Sequence, residues 1–279
     1  MTHDDVNLVD EVWRAAFMPL MADRPKPAMP RTEREQQADL TRFHHLVSTD
    51  PSGVFVATDA ERIVGICQSS RRGSVFLLSR LGVEPEYQDR KIGRELFARA
   101  LSCADDADEQ FIFTSRDPRA IHTYVREGFI LHPCIQLIGR AHELETAASI
   151  RPESSEDIDL IVAVDQKLRG ISRRVDLQLW FDLGADVLID EDGGYLMFNG
   201  TRLLSLCAIS RDIATRLLTA ALGGAFGHGP IEANWIVQEQ QWAIDSAIES
   251  RASIAIRGAI LTRNVNSFVV PYLPNAFLG

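Results

Sequence analysis

The chain has 279 residues, 46% of them hydrophobic, and a net charge of −10, enough to bury a substantial core and more than one typical domain needs, so two domains are expected. The acidic balance disfavours nonspecific binding to nucleic acid or anionic membranes and suits either a cationic or amine substrate or simply a solubilising surface. No apolar run reaches the roughly eighteen residues of a membrane span, Asp4, Asp5, Asp10 and Glu11 interrupt any secretory signal, and Cys67, Cys103, Cys134 and Cys207 lack paired spacing; the expectation is a cytoplasmic protein with buried thiols, no disulfide framework and no metal site.

Asn7 to Met18 and Thr32 to Val47 carry apolar residues at helical spacing, joined by the proline-rich connector Arg24 to Pro30. Met1 to Asp5 offers no apolar run for an opening strand. Gly53 to Thr58 and Arg62 to Gln68 are predicted as hairpin strands around Asp59 to Glu61, followed by a long buried strand from Ser74 to Val83 that Pro85 ends. Past Gln88 the period changes: Ile92, Leu96, Phe97, Ala100, Leu101 and Ala104 mark a helix with one buried face. Its first amides lack intrahelical partners and lie at the positive end of the aligned peptide dipoles, so residues 88 to 93 can bind a pyrophosphate mainly through backbone. Gly93 permits close approach, and Arg90 and Lys91 add positive charge. A strand, glycine turn and helix also occur in many α/β folds for packing alone.

A strand at Gln110 to Thr114 comes next, and then Asp117-Pro-Arg-Ala120-Ile-His-Thr-Tyr124-Val-Arg-Glu-Gly128-Phe129. Here Asp117 can cap a helix opened by Pro118, Tyr124 falls in its last turns, and Gly128 stops it. Short strands are predicted at Phe129 to Leu131 and Ile135 to Ile138.

Together these segments resemble the GNAT superfamily of acyl-CoA-dependent acyltransferases. The family's phosphate loop reads Gln/Arg-x-x-Gly-x-Gly/Ala after a strand ending Val-x-Pro, and Gln88, Gly93 and Val83-Glu84-Pro85 match it, with Lys91 in place of a glycine. Asp117 to Phe129 is similar to the family's Asn-x-x-Ala-x-x-x-Tyr-x-x-x-Gly-Phe segment, with Asp117 replacing Asn. The resemblance implies a donor site for acetyl-CoA made by Leu81, Gly82, Val83, Gln88, Asp89, Arg90, Lys91, Ile92, Gly93, Asp117 and Ala120. It implies direct transfer to an amine in a ternary complex, with main chain of Leu81 and Val83 meeting the pantetheine arm. Tyr124 is then the general acid for the leaving thiolate; a packed helix aromatic is its other reading. Glu84, directly after the central strand, is the candidate general base, or else a solvated turn carboxylate. His122 lies two residues from Tyr124 and is expected on another face of the helix, and His44 and His45 are adjacent and cannot both face one site. No arrangement for a covalent enzyme intermediate is legible.

The second half repeats the plan. Ile150 to Asp157 reads as a short strand, a proline and an acidic helix start, with Ile158, Ile161, Val162 and Leu168 on one face. Val187 to Ile189, Tyr195 to Phe198 and Leu203 to Ile209 form a meander whose Asn199-Gly200 suits a type I′ turn. Ile213 to Leu222, Ile231 to Val237, Trp242 to Ile248, Ser253 to Leu261 and Phe268 to Leu273 complete it. The expected fold class is therefore α/β (α+β): two tandem GNAT-like domains, 1–145 and 146–279, each a mixed, mostly antiparallel sheet flanked by helices. Ser210 to Thr215, the counterpart of the phosphate loop, has no glycine and carries Asp212, so the second domain is expected to lack an acyl-CoA site and to shape the acceptor cleft or a homodimer contact. The charges of Asp165 to Gly170 and of Arg173-Arg174 line an acceptor or phosphate pocket or form a solvated helix end. An N-acetyltransferase acting on a small-molecule amine is the leading expectation; a non-catalytic acyl-CoA-binding or regulatory protein is the alternative.

Overall fold

The computed structural model describes residues 1–21, 31–104, 109–140, 146–153, 157–268 and 271–277. The proline-rich connector and Glu145 lie outside them. The described chain forms two compact units, Met1–Phe129 and Ile130–Gly279. No helix among the described residues is long and apolar enough to cross a membrane.

In the first unit α1 (Val6–Met21) and α2 (Glu33–Thr49) precede every strand. A reciprocal capping box opens α2: Thr32 accepts from the Glu35 amide, and the Glu35 carboxylate accepts from the Thr32 amide at 2.7 Å. Strands β1 (Val54–Asp59), β2 (Arg62–Arg72) and β3 (Val75–Val83) follow as an antiparallel meander. After β3 the helix α3 (Ile92–Leu101) carries the chain to β4 (Glu109–Thr114), which pairs with β3 in parallel, and α4 (Pro118–Arg126) closes the unit. The sheet order is β1-β2-β3-β4. Helices α1 and α2 meet one face, where Phe43, Leu46 and Val9 are buried, and α3 covers the other with Leu96, Phe97 and Ala100. The periodic apolar residues of α3 extend past its end at Leu101; Ala104 is outside the helix.

The second unit opens with β5 (Ile130–Ile138), one strand where two short ones were expected. It runs through Pro133, which pairs with Ala259 of β11 (Ser253–Arg263), and β11 shifts register just beside it, between Ile256 and Ala259. The expected domain boundary near Glu145 falls after β5, whereas the compact units divide before it, since β5 pairs with β11 and with β10 (Glu232–Ile236). Between them come β6 (Ile150–Pro152), α5 (Ile158–Arg169), α6 (Arg174–Asp182), β7 (Asp186–Asp190), β8 (Gly194–Asn199), β9 (Arg202–Ala208) and α7 (Arg211–Gly223). Helix α8 (Gln241–Glu249) and a last strand, β12 (Tyr272–Leu273), complete the unit. Its order is β11-β5-β10-β9-β8-β7-β6, with β12 beside β9.

Leu196, Leu206, Leu217, Leu218, Trp242 and Ala243 build the core under α7 and α8. Full burial of each such leucine contributes about 1.5–3 kcal/mol.

Two local expectations are corrected here. The β8–β9 turn is centred on Gly200 and Thr201, with Asn199 still paired to Arg202, and Gly200 takes φ +55 while Asn199 keeps a negative φ, so a type I′ turn at Asn199-Gly200 does not form. Helix α6 was not foreseen, and of the charges around it Lys167 and Arg174 are solvated whereas Asp165 and Arg173 are buried. The buried Arg173 guanidinium donates to Asp165 at 2.5 and 3.1 Å and to Ser205 at 3.2 Å, and the Tyr195 hydroxyl donates to the same carboxylate at 2.8 Å. Removing one partner of such a pair strands a buried charge, at a cost of about 3–5 kcal/mol.

Candidate active site

Strand β3 makes the site by leaving its neighbour. It pairs with β4 only from Val75 to Leu78, opposite Glu109 to Ile112, and beyond that the two strands diverge. A bulge lies at the point of departure: Gln68 faces Arg80 and Ser69 faces Leu78, so Ser79 is an extra residue on β3 and bends it. Leu81 to Val83 therefore keep β2 on one side and face an opening on the other.

That opening is a cleft of about 570 Å³, lined by Leu78 to Val83 of β3, Ile112 to Ser115 at the end of β4, and the start of α3. Residues of α4 and the Trp13–Phe17 face of α1 complete its walls. Trp13 and Phe17 stack with ring centroids 4.9 Å apart. Its volume suits a small-molecule or cofactor site.

The loop between β3 and α3 turns sharply. Pro85–Tyr87 forms one 3-10 turn, then Asp89 takes φ +62 and Lys91 φ +66. Lys91 is the N-cap residue of α3, and no side chain among the described residues caps it. The first backbone bond into the helix is Glu95 N–H to Lys91 O at 3.1 Å, which leaves the Ile92, Gly93 and Arg94 amides without intrahelical acceptors. Three donors and the helix dipole thus face the mouth of the β3–β4 opening.

The backbone demand of the loop falls on Lys91 and not on Gly93. A Cβ on Gly93 would meet only Val83 Cγ2, at an ordinary 3.5 Å, so the chain itself does not require glycine there. Lys91 adopts the left-handed conformation that glycine favours, which explains how the loop curls without one.

Side chains lock the loop to α4. Gln88 Nε2 donates to Val83 O at 3.1 Å, and Gln88 Oε1 accepts from Arg119 Nη1 at 2.5 Å. Arg119 Nη2 also donates to Asp117 Oδ2 at 2.9 Å, and the Arg119 amide donates to Asp117 Oδ1 at 2.9 Å, as an N-cap should. Burial works against the Asp117 charge, but the Arg119 guanidinium and amide outweigh it and hold the carboxyl below its ordinary range.

Tyr124 lines the floor of the cleft and is only 5% exposed. Its ring packs edge-on against Phe97 at 5.0 Å, and its hydroxyl makes no hydrogen bond among the described residues. Burial first, then Cys67 and Asp117, push its pKa upward, so it holds its proton at neutral pH.

Of the residues expected at the site, the cleft brings together Leu81, Gly82, Val83, Gln88, Asp89, Lys91, Ile92, Gly93, Asp117, Ala120 and Tyr124. Two are not brought in. The Arg90 guanidinium lies 4.8 Å over the Tyr87 ring and lines a separate groove with Arg99 and Phe55. The Glu84 carboxylate accepts from Arg62 at 2.6 Å and is not part of the cleft wall. Val83 and Glu84 project to opposite sides of the strand end, and Arg62 from β2 fixes the latter. Exposed His122, expected off the face of Tyr124, nevertheless lies on the rim. His44 is instead paired with His3, Nδ1 to Nδ1 at 2.8 Å. Cys103 is half-buried, unlike the other three thiols.

Arg80, Trp13 and Arg119 also line the cleft and were missed. The signal for Arg80 was present: a lone cation inside an otherwise apolar strand.

The second unit closes the equivalent opening. There β9 and β10 pair in parallel only at Arg202 and Glu232, and β12 occupies the edge of β9, Tyr272 opposite Cys207 and Leu273 opposite Leu206. Gln240 Nε2 donates to Tyr272 O at 2.5 Å, and Asn275 Nδ2 to Leu204 O at 2.6 Å. At the head of α7, Ser210 Oγ accepts from the Ile213 amide at 3.4 Å and Asp212 sits in the first turn. Strand edge and helix start are both taken by the chain itself.

Residues 50–131 match the family described as Acetyltransferase (GNAT) domain. No curated protein sequence matches the chain. Among solved structures, the chain is similar to a candidate acetyltransferase of Pyrococcus horikoshii with TM-score 0.77 and 19% identity, covering 100% of this chain and 94% of that one. A tandem GNAT protein from the clavulanic acid biosynthesis pathway is similar over 96% of this chain and 98% of its own, with TM-score 0.56 and 15% identity. A GCN5-related N-acetyltransferase from Kribbella flavida has TM-score 0.61 and 13% identity over 94% of this chain and 69% of its own.

Proposed function

We propose, from the GNAT domain carried by residues 50–131 and the tandem GNAT-like fold around it, that this chain is an N-acyltransferase moving an acetyl group from acetyl-CoA to an amine. The observation that carries this reading is the convergence on one cleft of three uncapped amides at the head of α3, a strand edge without a partner, and a buried phenol. The α3 amides bind the diphosphate, with Lys91 beside them. Main-chain groups of Leu81 to Val83 take the place of a strand partner for the amide groups of the pantetheine arm, a β-augmentation by ligand.

With the thioester held in the opening, a neutral amine approaches from the Trp13 side and its nitrogen attacks the carbonyl carbon. A strand amide of β3 stabilises the developing oxyanion. Collapse breaks the C–S bond, Tyr124 donates its proton to the departing thiolate, a role for which its raised pKa keeps it protonated, and the extra proton of the attacking nitrogen passes to water, from which the phenolate is reprotonated. Glu84 receives no chemical role, because its carboxylate is bound to Arg62. The second unit is assigned a structural part, since β12 fills its counterpart of the donor cleft.

Calorimetry with acetyl-CoA combined with thiol release across a panel of amines tests the proposal. One binding site per chain and release that depends on an amine are expected. Binding without turnover on any amine would instead support an acyl-CoA-binding protein, and absence of binding would dismiss both.

A further inference from the structure

Strand β4 ends in a hydroxyl that the fold leaves to the cleft. Thr114 lines the cleft and is 5% exposed, and its side chain makes no hydrogen bond among the described residues. Strand pairing fixes the side to which it points. Gly65 of β2 faces α3, since a Cβ there would meet Leu96 and Ile92. Ser69, four residues on, shares that side, and Leu78 of β3 stands opposite Ser69. Leu78 is in parallel register with Ile112, so Ile112 and, two residues further, Thr114 point to the α3 and α4 side as well. Arg80, beyond the bulge, points the other way, over the Phe43 ring.

Tyr124 of α4, edge-on to Phe97 of α3, lies on the same side as Thr114. The floor of the cleft thus carries two hydroxyls, each 5% exposed, beside the apolar Leu78 and Ile112. A buried threonine whose hydroxyl finds no partner is a poor choice for stability, because valine has the same shape and suits a strand without the polar atom.

The path of the donor determines which atom comes to this hydroxyl. With its diphosphate at the α3 amides, beside Val83, and its arm along Val83 and Leu81, the donor brings its sulfur end to the place where β3 and β4 part, at Leu78 and Ile112. The amine arrives from the Trp13 side, which is the side of Arg80. Thr114 is therefore turned to the sulfur and away from the nitrogen.

We infer that Thr114 Oγ1 donates a hydrogen bond to the sulfur of the thioester donor, beside the Tyr124 phenol. A thioester sulfur is a weak acceptor and a thiolate a strong one, so the bond tightens as the C–S bond breaks and favours the transition state over the bound substrate. The threonine keeps its proton throughout, and the one that the thiol gains comes from Tyr124. This inference rests on the acyltransferase reading and adds a residue to its chemistry.

The test follows the sulfur itself. CoA labelled with ¹³C at the carbon bearing the thiol is bound to the whole chain, and the chemical shift of that carbon is followed with pH as the thiol ionises. Thr114→Val should raise the pKa of the bound thiol by about one unit, as loss of one hydrogen bond to a charged acceptor predicts. In single turnover with acetyl-CoA and an amine, it should slow thiol release about tenfold while acetyl-CoA affinity stays within about twofold. Thr114→Ser, which keeps the hydroxyl, should match the unaltered protein in both measurements. If Thr114→Val does not fold, Thr114→Ser and Thr114→Ala decide, because they differ in the hydroxyl alone. A bound thiol that titrates alike with and without the hydroxyl overturns the inference even where the rate falls, and so does an unchanged rate. Either result leaves the acyltransferase reading standing. If the unaltered protein releases thiol with none of the amines, the acyltransferase reading falls and this inference with it.

Discussion

Arg119 reaches across from the first turn of α4 to give Gln88 Oε1 a hydrogen bond of 2.5 Å, and Gln88 returns one of 3.1 Å to Val83 O. The end of β3, the β3–α3 loop and α4 are thereby joined by one amide. Gln88→Ala and Arg119→Ala should each weaken acetyl-CoA binding about three- to tenfold with little effect on stability, because Arg119 is largely exposed. The double variant should be no weaker than the worse single one. Calorimetry on the four proteins measures this, and losses that simply add would show the bridge to be inert.

The positive φ of Lys91 separates backbone shape from residue identity. Lys91→Gly should retain the fold with stability changed by less than about 1 kcal/mol, whereas a β-branched Lys91→Val should cost about 1–2 kcal/mol, since the left-handed region excludes it. Gly93→Ala should leave the unfolding free energy unchanged to within about 0.5 kcal/mol, since an added Cβ meets only Val83 at ordinary contact distance. Its acetyl-CoA affinity should nevertheless fall, because the added methyl meets only Val83 within the chain and would stand where the diphosphate approaches. Urea melts and calorimetry distinguish the two sites.

Removal of the phenol proton tests the acid. Tyr124→Phe keeps the ring packed on Phe97 and should lower kcat by about 10²-fold with acetyl-CoA affinity unchanged. Stopped-flow thiol release shows whether chemistry limits the rate; an unaltered chemical step would exclude Tyr124 as the donor.

Alkaline pH should destabilise the fold. Burial raises the Cys67 and Cys207 thiols and pushes Cys134 up to about 12, while in the unfolded chain these groups titrate near 9.0. The buried phenols of Tyr124, Tyr195 and Tyr272 are raised in the same direction. Above pH 9 the unfolded state binds fewer protons than the native state, so stability is fully present below that pH and is lost as pH climbs toward the native pKa values. Melting temperature followed from pH 8 to 11 should decline from about pH 9 onward. A flat profile would show that these groups are hydrated in solution.

Apart from α6 and the single strand β5, the order of elements was legible because most helices and strands carry their period in their own residues, as in Ile92, Leu96 and Ala100 of α3. The turn between β3 and α3 was legible because backbone geometry there follows from a strand, a proline and a helix start. Side-chain direction at strand ends was not. Glu84 and Val83 are adjacent, yet only tertiary pairing with Arg62 decides which of them meets the cleft. Arg80 reads as an interruption of an apolar strand until Phe43 and Trp13, distant in the chain, are seen to clamp it. Arg173 and Asp165 read either as pocket-lining charges or as a solvated helix end, and their pairing in the core depends on Tyr195 and Ser205 from strands β8 and β9. The closing of the second unit by Tyr272–Leu273 likewise depends on a pairing that no local pattern encodes.

Amide chemical shifts of ¹⁵N-labelled protein titrated with acetyl-CoA test the central claim most directly. The account predicts that the Ile92, Gly93 and Arg94 N–H resonances move most, with Leu81 to Val83 following, while Arg211 to Ile213 stay in place. Saturable binding that leaves the α3 amides unmoved, or that shifts the head of α7 instead, would contradict it.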